Sequence, residues 1–487
     1  MNVITIVLLA GLLAGAGRPA LSDAQPAATN PAGNQQQCTR PTLSEVLERS
    51  VSLSHTLKAG KAEADKARFD RHMIYQTYLP NVRLESSFRS LDQRVRFRMD
   101  PLTLPFPEPH GLQVSIPPIT LQERNTFRAS VEVTQVLFTG FKVPRMGQAA
   151  YHGEQAALHM VEADKQELLL ETAEAYDELV LVEEALRVLD RAERRLQEEQ
   201  RVAERAFEEG LIPAYDLTRL RIARNDLEKE RIRREGDREL AARKLEHLSG
   251  ISWRKFFDPA PVGNRERDQA SASRPTSPSA SASTLPQDTG LALIDVVPDD
   301  IPHYTRPEVQ ALKEAGMAAD YQYRAGRADY FPHAYAFLRQ ELYEDDLSVL
   351  EPARVMGVGL RWELFDGFNR SRRIQKAERD RVIARERLDE VASLVELERR
   401  QAEVRLSVAE RQLEVAGETL TEAGTSLRLS TQRYRLGLAP VSEKLEAETG
   451  YQRAELEWQQ AVFEQRRAAM QLLRANGHLH IETMAGL

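Results

Sequence analysis

Phe138-Thr139-Gly140-Phe141 returns 227 positions later as Phe365-Asp366-Gly367-Phe368. Gly210-Leu211-Ile212-Pro213 returns as Gly437-Leu438-Ala439-Pro440 at the same offset, and Gly250 returns as Gly477. More than a hundred residues thus stay in register without a gap, so what one copy builds the other must build too. Upstream, Tyr78-Leu79-Pro80 matches Tyr330-Phe331-Pro332 at an offset of 252. The 25 extra residues (252 − 227) lie between Pro80 and Phe138, a stretch holding Pro101, Pro105, Pro107, Pro109, Pro117 and Pro118. Such proline density forbids helix and central strand, and predicts a long loop.

Each copy reads in one order: helix (about 42–76, then 305–329), proline, strand, loop, strand, very long helix, sharp turn, helix. The strands alternate. Phe127, Ala129, Val131 and Val133 oppose Arg128, Ser130, Glu132 and Thr134, and Met356, Val358, Leu360, Trp362 and Leu364 oppose Gly357, Gly359, Arg361 and Glu363. Period two gives one oily and one polar face, as in a half-buried sheet or a barrel wall between lipid and water. Asn369–Leu436 contains no proline, and at 1.5 Å per residue it predicts a helix of roughly 100 Å. Glu154–Glu209 has neither glycine nor proline. Leu406, Ala409, Leu413, Ala416, Leu420, Ala423 and Leu427 step by three and four, as do Ala175, Leu179, Val182, Leu186 and Leu189. That is coiled-coil spacing with small residues for close approach. A glycine followed by an N1 proline at each tip marks an antiparallel hairpin. The copies occupy 42–258 and 301–477, joined by a Ser/Pro/Ala-rich connector over 259–300.

Val3–Gly17 is an apolar run too short to span a bilayer as a helix, and it fits a secretory signal over 1–24 with cleavage after Ala24. An extension over 25–41 follows. Cys38 follows Gln35-Gln36-Gln37, which lacks the small apolar residues that precede a lipidated cysteine, so no lipid tether is expected. As the only cysteine, it also excludes a disulfide framework. The net charge of -8 argues against a general nucleic-acid binder. No Gly-rich phosphate loop, His-Glu-x-x-His or supported Ser/His/Asp set is present, so no enzyme, cofactor or metal site is expected. His478-Leu479-His480 offers at most a weak metal site, and it stands in a C-terminal tail, 478–487, expected to be disordered.

The order, duplication and spacing of Tyr78-Leu79-Pro80, Thr134-Gln135-Val136-Leu137-Phe138-Thr139-Gly140, the two glycine turns and Leu248-Ser249-Gly250 resemble the TolC family of outer-membrane efflux channels over about 42–477. The resemblance implies an α+β membrane channel. It would be a homotrimer sharing a 12-stranded transmembrane β-barrel, four strands per chain, continued by a periplasmic α-helical coiled-coil barrel. It also implies passive transport, with an inner-membrane RND or ABC pump supplying energy and a periplasmic adaptor bridging the two. Four strands per chain would leave open edges that lipid cannot satisfy, which independently favours oligomers.

Glu443 and Glu446, three apart, share a helix face while Lys444 points elsewhere. Taken alone, Glu-x-x-Glu is a solvated helix face. The resemblance makes the pair an acidic ring at the periplasmic aperture, favouring cations, because the family carries aspartates at these positions. In the first copy Asp216 matches Glu443 but Arg219 matches Glu446, so only one copy would line the constriction with two acids, leaving Asp216 to hold a neighbouring helix. Tyr434 matches a tyrosine that helps lock the tips in family members, while their basic partner is replaced here by Ala439. The turns Gly210-Leu211-Ile212 and Gly437-Leu438-Ala439 are candidate adaptor contacts, although turn chemistry alone explains their glycines and prolines. The opposing class is a structural coiled-coil protein of the cell envelope without a pore, which explains the heptads but not the strand pairs before each long helix. An exported binding protein would need a concave pocket that this layout lacks.

Overall fold

A computed structural model describes residues 40–97, 102–104, 112–114, 117–210, 212–257, 306–343 and 352–485. The expected signal, Cys38, Leu211 and the connector lie outside the described residues. Two helices come first among the described residues, α1 (Leu43–Leu53) and α2 (His55–Gln76), with Ser54 ending one and capping the other through Leu57 N at 3.2 Å. Then come β1 (Asn81–Ser90), the short β2 (Val95–Phe97), β3 (Leu102–Leu104), β4 (Leu112–Val114) and β5 (Ile119–Gln122), and the long β6 (Asn125–Phe138). Helices α3 (Lys142–Glu208) and α4 (Ala214–Ser249) complete the first copy, followed by a 3-10 turn at Trp253–Phe256. The second copy holds α5 (Pro307–Arg327), β7 (His333–Glu341), β8 (Arg354–Arg361), α6 (Asn369–Arg435) and α7 (Val441–Ala475), and α8 (Ile481–Ala485) is the last element described.

The two long helices each contain 67 residues, about 100 Å of helix. α3 begins well before Glu154 because Pro144 falls in its first turn, where a missing N–H costs nothing. Gly140 and Gly367 both take positive φ, and so do the non-glycine residues after them, Phe141 (66°) and Phe368 (68°). A left-handed phenylalanine costs about 1–2 kcal/mol. Two contacts hold it in each copy. Thr139 Oγ1 accepts from Val143 N at 3.3 Å, and at the equivalent position Asp366 Oδ2 accepts from Arg370 N at 2.6 Å. Phe141 stacks edge-on against Phe138, centroids 5.3 Å apart, and Phe368 does the same against Phe365 at 5.4 Å. The repeated Phe-x-Gly-Phe is therefore a strand-to-helix turn. A side chain at Gly140 would also strike Ala328 O at 2.7 Å.

β1, β6, β7 and β8 form one antiparallel sheet in that order, and among the described residues β1 and β8 are free edges. Its oily face is bare: Val82, Leu84, Phe88, Met356, Val358 (74% exposed) and Leu360 all stand in the open. The 25-residue insertion is not simply a loop. β2 pairs with β5 and β3 with β4, giving two-stranded ladders. Proline density excludes a central strand, but each strand of a ribbon is an edge, and Pro117 and Pro118 lie outside the paired residues.

The helices lie side by side in lanes. Toward the sheet the order is α2, α3, α5, α6, and toward the tips it is α4, α3, α7, α6, so α2 and α4 share a lane, as do α5 and α7. Halfway along, α1 and α8 cover the lane junctions, and Leu47, Leu169, Met470, Leu472, Leu479 and Met484 form a core there. The expected disordered tail is thus corrected for 478–485: burying Leu479 and Met484 fixes it to α1 and α7. Among the described residues no metal-ligand cluster occurs, and no helix is long and apolar enough to cross a membrane.

Candidate functional site: the helical tips

At the ends farthest from the sheet, α3 turns into α4 and α6 into α7. Gly210 (φ 71°) and Gly437 (φ 69°) both take the left-handed conformation, with nothing within 4 Å of a built Cβ. Conformation rather than space requires glycine there. Gly437 N donates to Tyr434 O and Leu438 N to Arg433 O, each at 2.9 Å, tying off the last carbonyls of α6. Pro213 and Pro440 are N-caps with extended backbone rather than first helical residues, one position earlier than expected. Either place suits proline, because the N–H it lacks would have no helical partner. Leu438 is exposed, while Ile212 and Ala439 are half-buried.

Glu443 stands in the first turn of α7, where the helix N-terminus favours an anion. It is paired: Arg433, in the last turn of α6, reaches it at 2.6 Å across the hairpin. Glu446 is exposed one turn on, and no ion pair to it occurs among the described residues. Both acids line a groove of about 870 Å³ between α6 and α7, with Glu422, Glu457, Arg433 and Arg453. The groove is therefore mixed in charge.

Lys444 turns the other way. It is 7% exposed, forms an ion pair with Glu199 of α3, and lies 5.2 Å over the Tyr434 ring. Burial pushes the Tyr434 phenol above its ordinary value, and the nearby Glu199 and Asp216 carboxylates push the same way. Leu196, Ala203, Leu217, Leu220 and Val441 form the apolar packing around this knot. Through Lys444, its ion pair with Glu199 and its place over the Tyr434 ring, the second tip is joined to α3. Asp216 is half-buried and felt at Tyr434, but no ion pair to it occurs among the described residues. Arg219 is exposed and lies over the Tyr215 ring at 5.3 Å.

The acid pattern in the sequence gives no sign of Glu199 or Arg433, and of Lys444 only that it points away from the pair. A signal existed in the duplication: Lys444 and Arg433 stand where the first copy has Leu217 and Ala206. A position that is apolar in one copy and charged in the other has acquired a separate task. Further from the tip, Arg195 pairs with Glu448, Arg191 with Glu455 (2.6 Å) and Arg467 with Glu174 (3.3 Å). Arg466 meets Asp177 at 2.9 and 3.3 Å with both side chains no more than 3% exposed. Burial raises the Asp177 carboxyl, against the opposing pull of Arg466. All these pairs join α3 to α7, the first copy to the second.

The profile of the outer membrane efflux protein family matches residues 44–251 and 304–478, most of the chain. This chain belongs to the outer membrane efflux protein family. The Campylobacter jejuni CmeC outer membrane channel superposes with a TM-score of 0.66 at 14% identity, over 90% of this chain and 85% of that one. The outer membrane protein VceC of Vibrio cholerae gives 0.66 at 14%, over 89% and 96%. The open state of the Neisseria gonorrhoeae MtrE outer membrane channel gives 0.67 at 15%, over 96% and 98%. No curated protein matches the sequence itself. As an outer membrane efflux protein, the chain resides in the outer membrane, with its long helical portion in the periplasm.

Proposed function

We propose that three copies close into one 12-stranded barrel and one helical tunnel. The assembly is the passive exit duct of a tripartite efflux or type I secretion system, fed by an inner-membrane RND or ABC pump through a periplasmic adaptor. The observation that carries this reading is the sheet. Strands of 10, 14, 9 and 8 residues suit a tilted crossing of about 9–11 residues, and their oily face is bare. Among the described residues nothing in the chain pairs with the outer edges of β1 and β8. In hydrocarbon every unpaired backbone group costs several kcal/mol, so a lone sheet would lose on the order of tens of kcal/mol. Pairing β8 of one copy with β1 of the next removes that cost. Phe141, Tyr330, Phe331, Trp362, Phe365 and Phe368 are exposed where sheet meets helices, the level at which aromatic side chains suit a membrane interface.

In this assembly Glu443 and Glu446 line the periplasmic aperture and favour cations, while Tyr434 and Lys444 hold the tips. Asp216 and Arg219 mark the matching turn of the first copy. Gly210-Leu211-Ile212 and Gly437-Leu438-Ala439 receive the adaptor. The test is single-channel recording of the purified protein in planar bilayers, with a polyvalent cation added to one side. Small, cation-selective currents blocked from one side are expected, and blockade is expected to weaken in the Glu443→Gln/Glu446→Gln double variant. A folded protein that neither inserts nor conducts would overturn the reading.

A further inference from the structure

The duplication offers a template for how neighbouring copies would meet along the tunnel wall. This inference rests on the three-copy reading and adds the register to it. Within one chain, α3 receives α7. Adding 227 to α3 gives α6, and subtracting 227 from α7 gives α4, without a gap in either helix. α6 and α4 are also the outer lanes, each with one side uncovered.

We propose that α6 of one copy receives α4 of the next in the same register in which α3 receives α7, so that Glu422 meets Arg221 of the next copy. Three observations support it. First, the internal pair Arg195–Glu448 maps onto Glu422 and Arg221, with the charges exchanged between partners and the attraction preserved. Glu422 and Arg221 are both exposed, and neither has an ion pair among the described residues of its own chain. Second, buried positions of the internal seam map onto exposed apolar ones. Asp177, 1% exposed, maps onto Val404 at 63%, and Gln459, 5% exposed, maps onto Ile232 at 59%. At these two positions a polar contact inside the chain gives way to apolar side chains on the uncovered faces. Third, Val441 beside the Tyr434 knot maps onto Ala214, a small exposed residue that lets the two helices approach.

The other internal pairs have no such counterpart. Arg191–Glu455 maps onto Glu418 and Glu228, two acids, and Glu228 is held by Arg231 of its own helix at 3.0 Å. Glu199–Lys444 maps onto Ser426 and Leu217. The seam between copies therefore has one ion pair near the tip where the internal seam has a ladder.

The test uses the full chain in detergent, in a Cys38→Ser background. Glu422→Cys with Arg221→Cys is oxidised and run on a denaturing gel, and covalent dimers and trimers are expected. Arg195→Cys with Glu448→Cys is the control, closing within one chain without raising its mass. A native trimer in which the control pair closes and the tip pair leaves only monomers overturns the register and leaves the three-copy reading standing. A protein that is monomeric before oxidation overturns both. As a second measurement, Arg221→Glu is expected to cost the trimer its heat resistance on a gel, and adding Glu422→Arg to restore it. Unchanged resistance in the single variant, or none regained in the double, contradicts the pair.

Discussion

The tip between α3 and α4 and the tip between α6 and α7 share a backbone but not a chemistry. Both have a left-handed glycine, a proline N-cap and an acid in the first turn of the returning helix. Only the second has Arg433 to clamp that acid and Lys444 to reach across to α3. The first has Ala206 and Leu217 at those positions. Duplication sets the course of the chain, and a few divergent side chains decide which hairpin is fastened to its neighbour. Leu217 completes the apolar packing of its own hairpin, whereas Lys444 ties its hairpin to the other copy.

The contrast is sharpest at Arg466. Arg466→Ala leaves Asp177 charged and buried, and a loss of about 3–5 kcal/mol is expected from denaturant unfolding. The counterpart in the first copy, Glu239, is an exposed residue paired along its own helix, and Glu239→Ala is expected to stay within about 0.5 kcal/mol. Equal losses would dissolve the distinction between the fastened hairpin and the free one.

Giving the second tip the first tip's residue, Lys444→Leu, strips Glu199 of its partner. A loss of about 1–3 kcal/mol is expected, together with a larger single-channel conductance, because α7 is no longer held to α3. Conductance equal to wild type would remove Lys444 from the closure.

The phenol at Tyr434 has no counterpart in the first copy, where Phe207 stands. Its raised pKa means that the native state holds the proton longer than the unfolded chain does. That contribution to stability is complete below the unfolded phenol value of about 10, and it is lost as pH rises from there through the folded value. Tyr434→Phe is therefore expected to make unfolding less sensitive to pH above about 10. An absorbance titration of Glu199→Gln is expected to find the phenol closer to its ordinary value.

The smallest effect is a test of sameness. Gly437→Ala and Gly210→Ala each put a side chain at positive φ in open space, so each is expected to cost about 1 kcal/mol by thermal unfolding. A much larger cost at one tip would show that its turn has a task beyond reversing the chain.

Most of the fold was legible in the sequence because its signals are local and come twice. Heptad steps, the glycine-proline tips and alternating strands each need only a few neighbouring residues. The ribbon within the insertion was hidden because proline reports where a ladder stops rather than whether short pairs form beside it. The order of residues 478–485 was hidden because burial of Leu479 and Met484 depends on α1, more than 400 positions away. At the site, the acids were visible as a pattern of like residues. Arg433 and Lys444 were not, since a single cation in a chain of 66 basic residues stands out only when its partner is known.

By itself the sequence determined the duplication, the two long hairpins, the strand pair before each and the positions of the turns. All of these follow from backbone preferences and the spacing of apolar residues along one element. Only the tertiary structure decided that α3 lies between two helical lanes, that Lys444 turns inward while Glu443 and Glu446 line a groove, and that an ion-pair ladder joins the copies. Those outcomes depend on which helix faces come within a few ångströms of each other, and charge acts across that gap regardless of distance along the chain.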